Sequence, residues 1–452
     1  MKKIKNSIIG GAAILGAGAF LTKLLGAIYR IPLTNMLGSS GLGLYQTVFP
    51  IYCLMLDFSG AGVPNALSKL IAESEDRAQK AVYYLKSSLI LLLVLGSVGT
   101  LLMSVFSNKI SYFQGNSDAK HAYLTLAPSV ILVCLISCFR GYFQGFMDMK
   151  PTAVSQILEQ VIKLAFGLVL IKIFLPDVKR AVAGATLAIT ISEAVALVYL
   201  FIVYKLRKNK YAVNIVKGIN GFNHYAKKIV KTTMPITLVG ITLPISHVVD
   251  TFLTVNLISG YRSDATALFG LFSGAVMTVI NLPVSVCYGL SAVSIPAVSS
   301  AKTEEERERK SKKVLLLTFV LSFVCFLSCV IFAPLIVKIL FRSLSDSERI
   351  LTINLLRLTS PCIVLLSLVQ TSNAVLIGKG KIYLPIFSLL IGVFVKTALS
   401  VMLLKKPNIN IYGSSIALIA CYFTVCLINL IIMLKVKVKD ENACNYNRQY
   451  AN

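Results

Sequence analysis

The twenty residues DFSGAGVPNALSKLIAESED, Asp57–Asp76, close an almost unbroken apolar run with a carboxylate, a Gly- and Pro-marked break and a charged, helix-friendly tail. The segment LPVSVCYGLSAVSIPAVSSAKTEEERERK, Leu282–Lys310, repeats the plan: a Pro, an apolar run, a second Pro, small residues, then charges. Aligning the two sets a register for the whole chain. At a shift of 233 residues Pro50 falls on Pro283, Pro128 on Pro361, Gly145 on Gly378, Lys163 on Lys396 and Lys172 on Lys405, while Pro64 meets Pro296 at 232. Proline and lysine are rare inside apolar runs, so these coincidences mark two repeated halves. Asp57 has no acidic counterpart in the second half, which singles it out.

Composition says where the halves reside. Of 452 residues, 56% are hydrophobic and 14% charged, and the mean hydropathy is +0.77. A soluble core cannot absorb that much apolar sequence, and a helix spans a bilayer with about 20 apolar residues. Twelve such runs occur, at roughly 8–30, 43–66, 83–106, 122–146, 151–175, 181–204, 233–257, 265–290, 314–341, 353–377, 382–404 and 410–434. The expected fold is therefore an all-α polytopic membrane protein with about 12 transmembrane helices in two pseudo-symmetric six-helix bundles around a central cavity. The domains read as an N-terminal bundle 1–204, a basic linker 205–231, a C-terminal bundle 232–434 and a polar tail 435–452. The start, MKKIKNSIIGGAAILGAGAF, has the look of a secretion signal, but its apolar pattern runs on to Tyr29 and reads as an uncleaved first span.

The net charge of +26 would ordinarily point to nucleic acid, but the basic residues sit in short loops between apolar runs, a topology signal. Most of the 45 Lys+Arg lie at the N-terminus and after even-numbered spans, so both termini are expected in the cytoplasm. Two long basic loops stand out, Lys205–Lys231 and Ala301–Lys313; the first also has the composition of a segment lying on anionic lipid. Nine of the ten cysteines lie inside apolar segments without metal-ligand spacing and read as small apolar side chains. Three scattered histidines form no metal cluster, and no phosphate-cradling Gly-Lys-Ser/Thr loop is present. The chain reads as a non-enzyme without cofactors.

Charges within spans are costly and mark function or partners. The basic candidates are Lys23, Arg30, Arg140, Lys163 and Lys396, forming a cationic cavity suited to an anionic substrate. Acids within spans are Asp57, Glu159, Glu193 and Asp250. In SQILEQVIKLAFG, Gln156, Glu159, Gln160 and Lys163 make one polar stripe, with Glu159 and Lys163 spaced for an ion pair that either serves function or only fixes packing. His247 and Asp250, three apart after Pro244, are either an ion site at a broken helix or a packing pair. Asp57, Gln156, Glu159, His247 and Asp250 are the polar or coupling candidates. Gly141-x-x-x-Gly145 and Gly270-x-x-x-Gly274 mark close helix contacts.

GVPNALSKLIAE (Gly62–Glu73), RGYFQGFMDMKPTAVSQILEQVIK (Arg140–Lys163), LPVSVCYGLSAVSIPAVSSA (Leu282–Ala301) and GKGKIYLPIFSLLIGVFVK (Gly378–Lys396) together resemble the polysaccharide-biosynthesis flippases of the stage V sporulation protein B type. That group is related to the lipid II flippases, in the superfamily that includes multidrug and toxin extruders. The resemblance implies a plasma-membrane flippase that moves an undecaprenyl-pyrophosphate-linked saccharide to the outer leaflet by alternating access, in spore or cell-wall synthesis. Partners would be that lipid-linked anionic saccharide, membrane lipids, and Na⁺ or H⁺ as coupling ion. It also implies a basic first helix that binds the head group, where Arg30 and Lys23 stand, and makes Asp57 and Asp250 head-group or ion contacts. The alternative within the superfamily is a cation- or proton-coupled multidrug antiporter, which would use the acids instead. Many members carry fourteen helices, whereas this chain reads as twelve.

Overall fold

A computed structural model describes residues 2–58, 62–74, 76–207, 222–299, 301, 303–381 and 383–449. Every regular element among them is helical: α1 (Lys2–Leu56), α2 (Val63–Ala72), α3 (Arg77–Val105), α4 (Ser107–Phe113), α5 (Lys120–Gly145), α6 (Lys150–Phe174), α7 (Val178–Arg207), α8 (Phe222–Gly240), α9 (Thr242–Ser259) and α10 (Ala265–Phe269) come first. A π-helical turn, Gly270–Val276, leads to α11 (Met277–Ser299), α12 (Glu304–Ile331), α13 (Ala333–Leu340), α14 (Asp346–Thr359), α15 (Pro361–Gly378), α16 (Leu384–Leu404) and α17 (Tyr412–Gln449). The protein is an all-α polytopic membrane protein.

Among the described residues eight helices are by themselves long and apolar enough to cross a bilayer, and all eight coincide with expected spans. On α12 only 17% of the apolar window is covered by protein, and Leu316, Val320, Phe323, Val324 and Ile331 project outward. Lipid is the medium that such a surface requires. The other expected spans fall on α1, α6 and the α8–α9 pair. Within α1 the backbone leaves helical geometry at Gly38, whose φ of 67° is open to glycine and strained for other residues. One long helix thereby becomes two segments.

In the opening stretch, 59–61 of the Gly-marked break and 75 of the tail lie outside the described residues. α1 ends at Leu56, a π-type turn holds Asp57 and Phe58, and Pro64 stands in the first turn of α2, where a missing N–H costs nothing. The second half differs here, because α11 runs unbroken from Met277 to Ser299 past Pro296. AKTEEERERKSKK, expected as a loop, is helical from Glu304. Thr303 caps α12 by accepting from the Glu306 N–H, three acids occupy its first turn, and Arg307–Glu304 and Lys310–Glu306 pair along its surface.

The repeat survives in fine detail. α5 and α15 end at Gly145 and Gly378, and in each the chain then enters a left-handed residue, Met147 (φ 59°) or Gly380 (φ 79°). The same two hydrogen bonds close both turns: Met147 N–H to Gln144 C=O with Asp148 N–H to Phe143 C=O, and Gly380 N–H to Ile377 C=O with Lys381 N–H to Leu376 C=O. The α3–α4 and α12–α13 corners likewise pivot on one residue each, Phe106 and Phe332, with nearly identical dihedrals.

By packing, the chain forms two compact units, 1–275 and 276–452. The first extends past the linker expected at 205–231, of which 208–221 lie outside the described residues. The cause is visible in the packing, since α8 lies on α2 and α3, while α9 and α10 lie on α1. The core of the first unit joins Val63, Leu67 and Ile71 of α2 to Tyr84, Leu85, Phe139, Tyr142 and Phe143. Gly141 and Gly145 let α5 approach α2, since an added Cβ would stand 2.9 Å from Leu67 Cβ and 2.7 Å from Ile71 Cβ. Gly270 and Gly274 do the same against α1, with Ser39 O at 2.4 Å and Leu42 Cγ at 2.4 Å from the positions their Cβ atoms would take. Both glycine pairs thus mark close helix contacts.

Candidate functional site

The first unit gathers most of the intramembrane charge. α1 contributes Tyr29, Arg30 and Tyr52, the π-type turn after it Asp57, α5 contributes Ser129 and Arg140, α6 contributes the polar stripe from Ser155 to Lys163, and α7 contributes Glu193. These helices pack on one another, so a stripe at 3.6-residue spacing on α6 meets its counterparts across three interfaces. Gly167 has no side chain to obstruct the contact, and the Tyr29 ring lies against α6 where a Cβ would be 2.4 Å from its hydroxyl.

Two polar clusters follow. Arg140 donates from Nη2 to Glu159 Oε1 at 2.7 Å and from Nε to Ser155 Oγ at 3.0 Å, while Ser155 passes its own proton to the Thr152 carbonyl. Both charged side chains are about 15% exposed. The acid of the α6 stripe is therefore neutralised by α5, and the ion pair expected between Glu159 and Lys163 is replaced by Glu159–Arg140. Lys163 instead stands 5.7 Å over the Tyr29 ring, within the fields of Arg30, Glu159 and Glu193. Cation and ring attract at that range.

The second cluster centres on Glu193, which is 6% exposed. Tyr52 Oη, also buried, donates to its Oε1. Its Oε2 has no hydrogen-bond partner among the described residues. Ser129 lies beside the pair but gives its proton to the Leu126 carbonyl at 2.6 Å. Tyr29 Oη, Gln156 Oε1 and Gln160 Oε1 are also buried without partners, so four orphaned polar atoms belong to this one region. Buried polar atoms are rarely left so, and a concentration of them marks a place built for something that comes and goes.

The remaining candidates divide. Arg30 and Asp57 both act electrostatically on Cys53, the neighbour of Tyr52 in the second cluster. The Lys23 side chain lies outside the described residues. His247 and Asp250 approach each other on α9 at 3.9 Å, with the imidazole 61% exposed. Lys396 belongs to the second unit, where α16 holds it 5% exposed. Besides it, that unit holds neutral buried hydrogen-bond sets: Thr371 joins Ser291 and Thr318, and Asn429 accepts from Ser388 and donates to Ser372 and Asn373. The acids of that unit, Glu304–Glu306, Glu308, Asp346, Glu348, Asp440 and Glu441, all lie outside the expected spans. No three His, Cys, Asp or Glu among the described residues converge on a possible metal position.

Sequence reading named Glu193 among the intramembrane acids but gave it no role, and it left Tyr52 unmarked. Their separation of 141 residues hides the pair from any local spacing rule. The available signal was an acid in an apolar helix with no basic residue three or four positions away.

Comparison with known proteins agrees with this architecture. A family model described as polysaccharide biosynthesis protein matches residues 8–302, and one described as lipid II flippase MurJ matches 286–450. Stage V sporulation protein B of Bacillus subtilis (strain 168) is 27% identical, over 96% of this chain and 86% of that protein. Lipid II flippase MurJ of the same strain is 25% identical, over 89% of this chain and 78% of that protein. Among solved structures, an inward-facing multidrug resistance MATE family transporter of the MOP superfamily shares the fold at a TM-score of 0.76 and 16% identity, covering 93% of this chain and 96% of that one. The chain belongs to the polysaccharide biosynthesis protein family.

Proposed function

We propose that this protein is a flippase that carries an undecaprenyl-pyrophosphate-linked saccharide, such as the peptidoglycan precursor lipid II, to the outer leaflet of the plasma membrane by alternating access of its two halves. Both termini face the cytoplasm in this reading, and the role belongs to cell-wall or spore-envelope synthesis. The observation that carries it is Lys163: an intramembrane ammonium with no ion pair among the described residues, beside Arg30 and next to the unpartnered oxygens of Tyr29, Gln156 and Gln160. An ammonium and a guanidinium suit a pyrophosphate, and amide and hydroxyl groups suit sugar hydroxyls. Relatives named for lipid II transport and for sporulation support the same assignment.

A second reading, a cation- or proton-coupled multidrug antiporter, is favoured by the shared fold of the MATE transporter and by the acids Asp57, Glu159 and Glu193 of the first unit. Leaflet-resolved transport in proteoliposomes separates the two. Purified protein should move lipid II or another undecaprenyl-linked sugar, Lys163→Met and Arg30→Ala should each abolish movement at normal membrane levels, and organic cations should not compete. Cation transport without lipid movement would reverse the assignment.

A further inference from the structure

Glu193 is not used by the head-group site just described, yet it is the most enclosed acid of the first unit. One carboxylate oxygen is fixed by the Tyr52 hydroxyl and the other has no hydrogen-bond partner among the described residues. The groups facing it are Tyr52 of α1, Ser129 of α5, and Glu159 and Lys163 of α6; Arg140 in turn neutralises Glu159, and Arg30 faces Lys163. Lys163 is therefore the cation that answers a charged Glu193. It is also the cation proposed to receive the substrate's phosphate.

We propose that Glu193 is a proton-binding site linked to anion binding: an anion docking at Lys163 is accompanied by uptake of one proton on Glu193 Oε2. The proposal rests on the flippase reading for the identity of the anion. The physical argument is competition for one positive charge. With no anion bound, Lys163 stabilises the Glu193 carboxylate. Once a phosphate neutralises Lys163, an enclosed carboxylate with a single hydrogen bond is costly to keep charged, and protonation relieves it. By reciprocity a proton on Glu193 frees Lys163 and raises affinity for the anion by the same factor. A metal cation would not serve in place of the proton, because hard cations need several oxygen ligands. Among the described residues no three His, Cys, Asp or Glu gather at Glu193 to supply them, and the cation that faces it is already an ammonium.

The test uses the full-length protein in detergent–lipid micelles with undecaprenyl pyrophosphate as the probe. Infrared difference spectra should show a protonated-carboxyl band that grows when the probe is added, is absent from Glu193→Gln, and returns at a shifted position in Glu193→Asp. Binding should take up one proton, and affinity should fall about tenfold per pH unit above the titration of Glu193. Glu193→Gln should bind without this pH dependence. Binding with no proton uptake, or a pH profile that Glu193→Gln leaves intact, overturns the linkage and leaves the flippase reading standing. No binding of the probe by any variant at any pH overturns the flippase reading, and the linkage with it.

Discussion

Arg140 offers the sharpest separation between a substrate-binding residue and one that holds the bundle together. Its guanidinium donates at 2.7 Å to Glu159 and at 3.0 Å to Ser155, and the two charged side chains are 15% and 16% exposed. Replacing Arg140 by Leu keeps the bulk but strands a nearly buried carboxylate on α6. Removing one member of a buried ion pair costs about 3–5 kcal/mol, and the residual exposure places this site near about 3 kcal/mol. Lys163, one turn along α6, can answer part of the stranded charge, so Arg140→Leu with Lys163→Met should lose more than the sum of the single changes. Glu159→Leu alone should also destabilise, because Arg140 keeps only Ser155. The double variant Arg140→Leu/Glu159→Leu removes both charges together and should recover about 2 kcal/mol relative to additivity. The chain has no tryptophan, so equilibrium unfolding in mixed SDS–lipid micelles is best followed by thiol accessibility. Nine free cysteines are buried or half-buried and react only as the bundle opens. Cys444, in the polar tail of the sequence, is replaced by serine in every variant. A coupling below about 0.5 kcal/mol with transport abolished by Arg140→Leu would refute the structural role and return Arg140 to the substrate.

Four further outcomes follow from particular residues. Gly43→Val should destabilise by about 3 kcal/mol by overpacking, because a Cβ there would stand 1.9 Å from the Thr266 carbonyl oxygen, and main chain cannot swing aside as a side chain can; the same thiol assay measures it. Gly380→Ala should cost about 1 kcal/mol, since its φ of 79° is strained for any Cβ while no neighbour lies within 4 Å of the added atom. At the repeat-related position Met147→Gly should be neutral or stabilising, and a loss there equal to that of Gly380→Ala would contradict the shared left-handed turn. In the α9–α10 connection Arg262 grips Asp264 through two hydrogen bonds of 2.7 Å and holds its carboxyl below the ordinary value of 3.8. A depressed carboxyl adds stability above that value and loses it as pH falls through the lower folded-state value. Asp264→Asn should therefore flatten the acid limb of the stability–pH curve by well under 1 kcal/mol, because both side chains are more than 40% exposed.

The parts of the fold governed by composition and rare residues could be read directly. Apolar runs of spanning length located the helices, and prolines and intramembrane lysines gave a register that reappears as paired turns at Met147 and Gly380. The glycine pairs were legible for the same reason, since a missing Cβ at four-residue spacing has few other uses in a membrane. What failed were inferences of range. Spacing along α6 favoured Lys163 as the partner of Glu159, but helix propensity says nothing about a guanidinium arriving from α5. AKTEEERERKSKK read as a loop on charge alone, although Thr303 and the acids after it are an N-terminal capping sequence. Packing divides the chain at Ala275/Val276, because α8, α9 and α10 bury surface against α1, α2 and α3, and this division is a separate matter from the two sequence repeats.

The repeat also sharpens what its exceptions mean. Both halves keep the same turn after α5 and α15 and the same corner at Phe106 and Phe332, so the backbone plan was copied closely. The polar chemistry was not. Lys163 and Lys396 occupy equivalent positions, yet Lys163 shares its surroundings with Glu159 and Glu193, whereas the second unit lines its buried polar positions with Ser, Thr and Asn and keeps its acids out of the spans. The hydroxyl and amide groups around Thr371 and Asn429 bond to one another and stay neutral at every pH. A carboxylate that shares one ammonium with a second acid and leaves one oxygen without a partner cannot, and its charge state must answer to whatever else that ammonium binds. Every carboxyl in the expected spans belongs to the first unit, and carboxyl proton linkage belongs there with them. α1 ends at Leu56, one turn beyond Tyr52, and α2 begins at Val63, whereas α11 runs on past Pro296, so the half that carries the ionisable groups is the one whose helix stops beside that tyrosine.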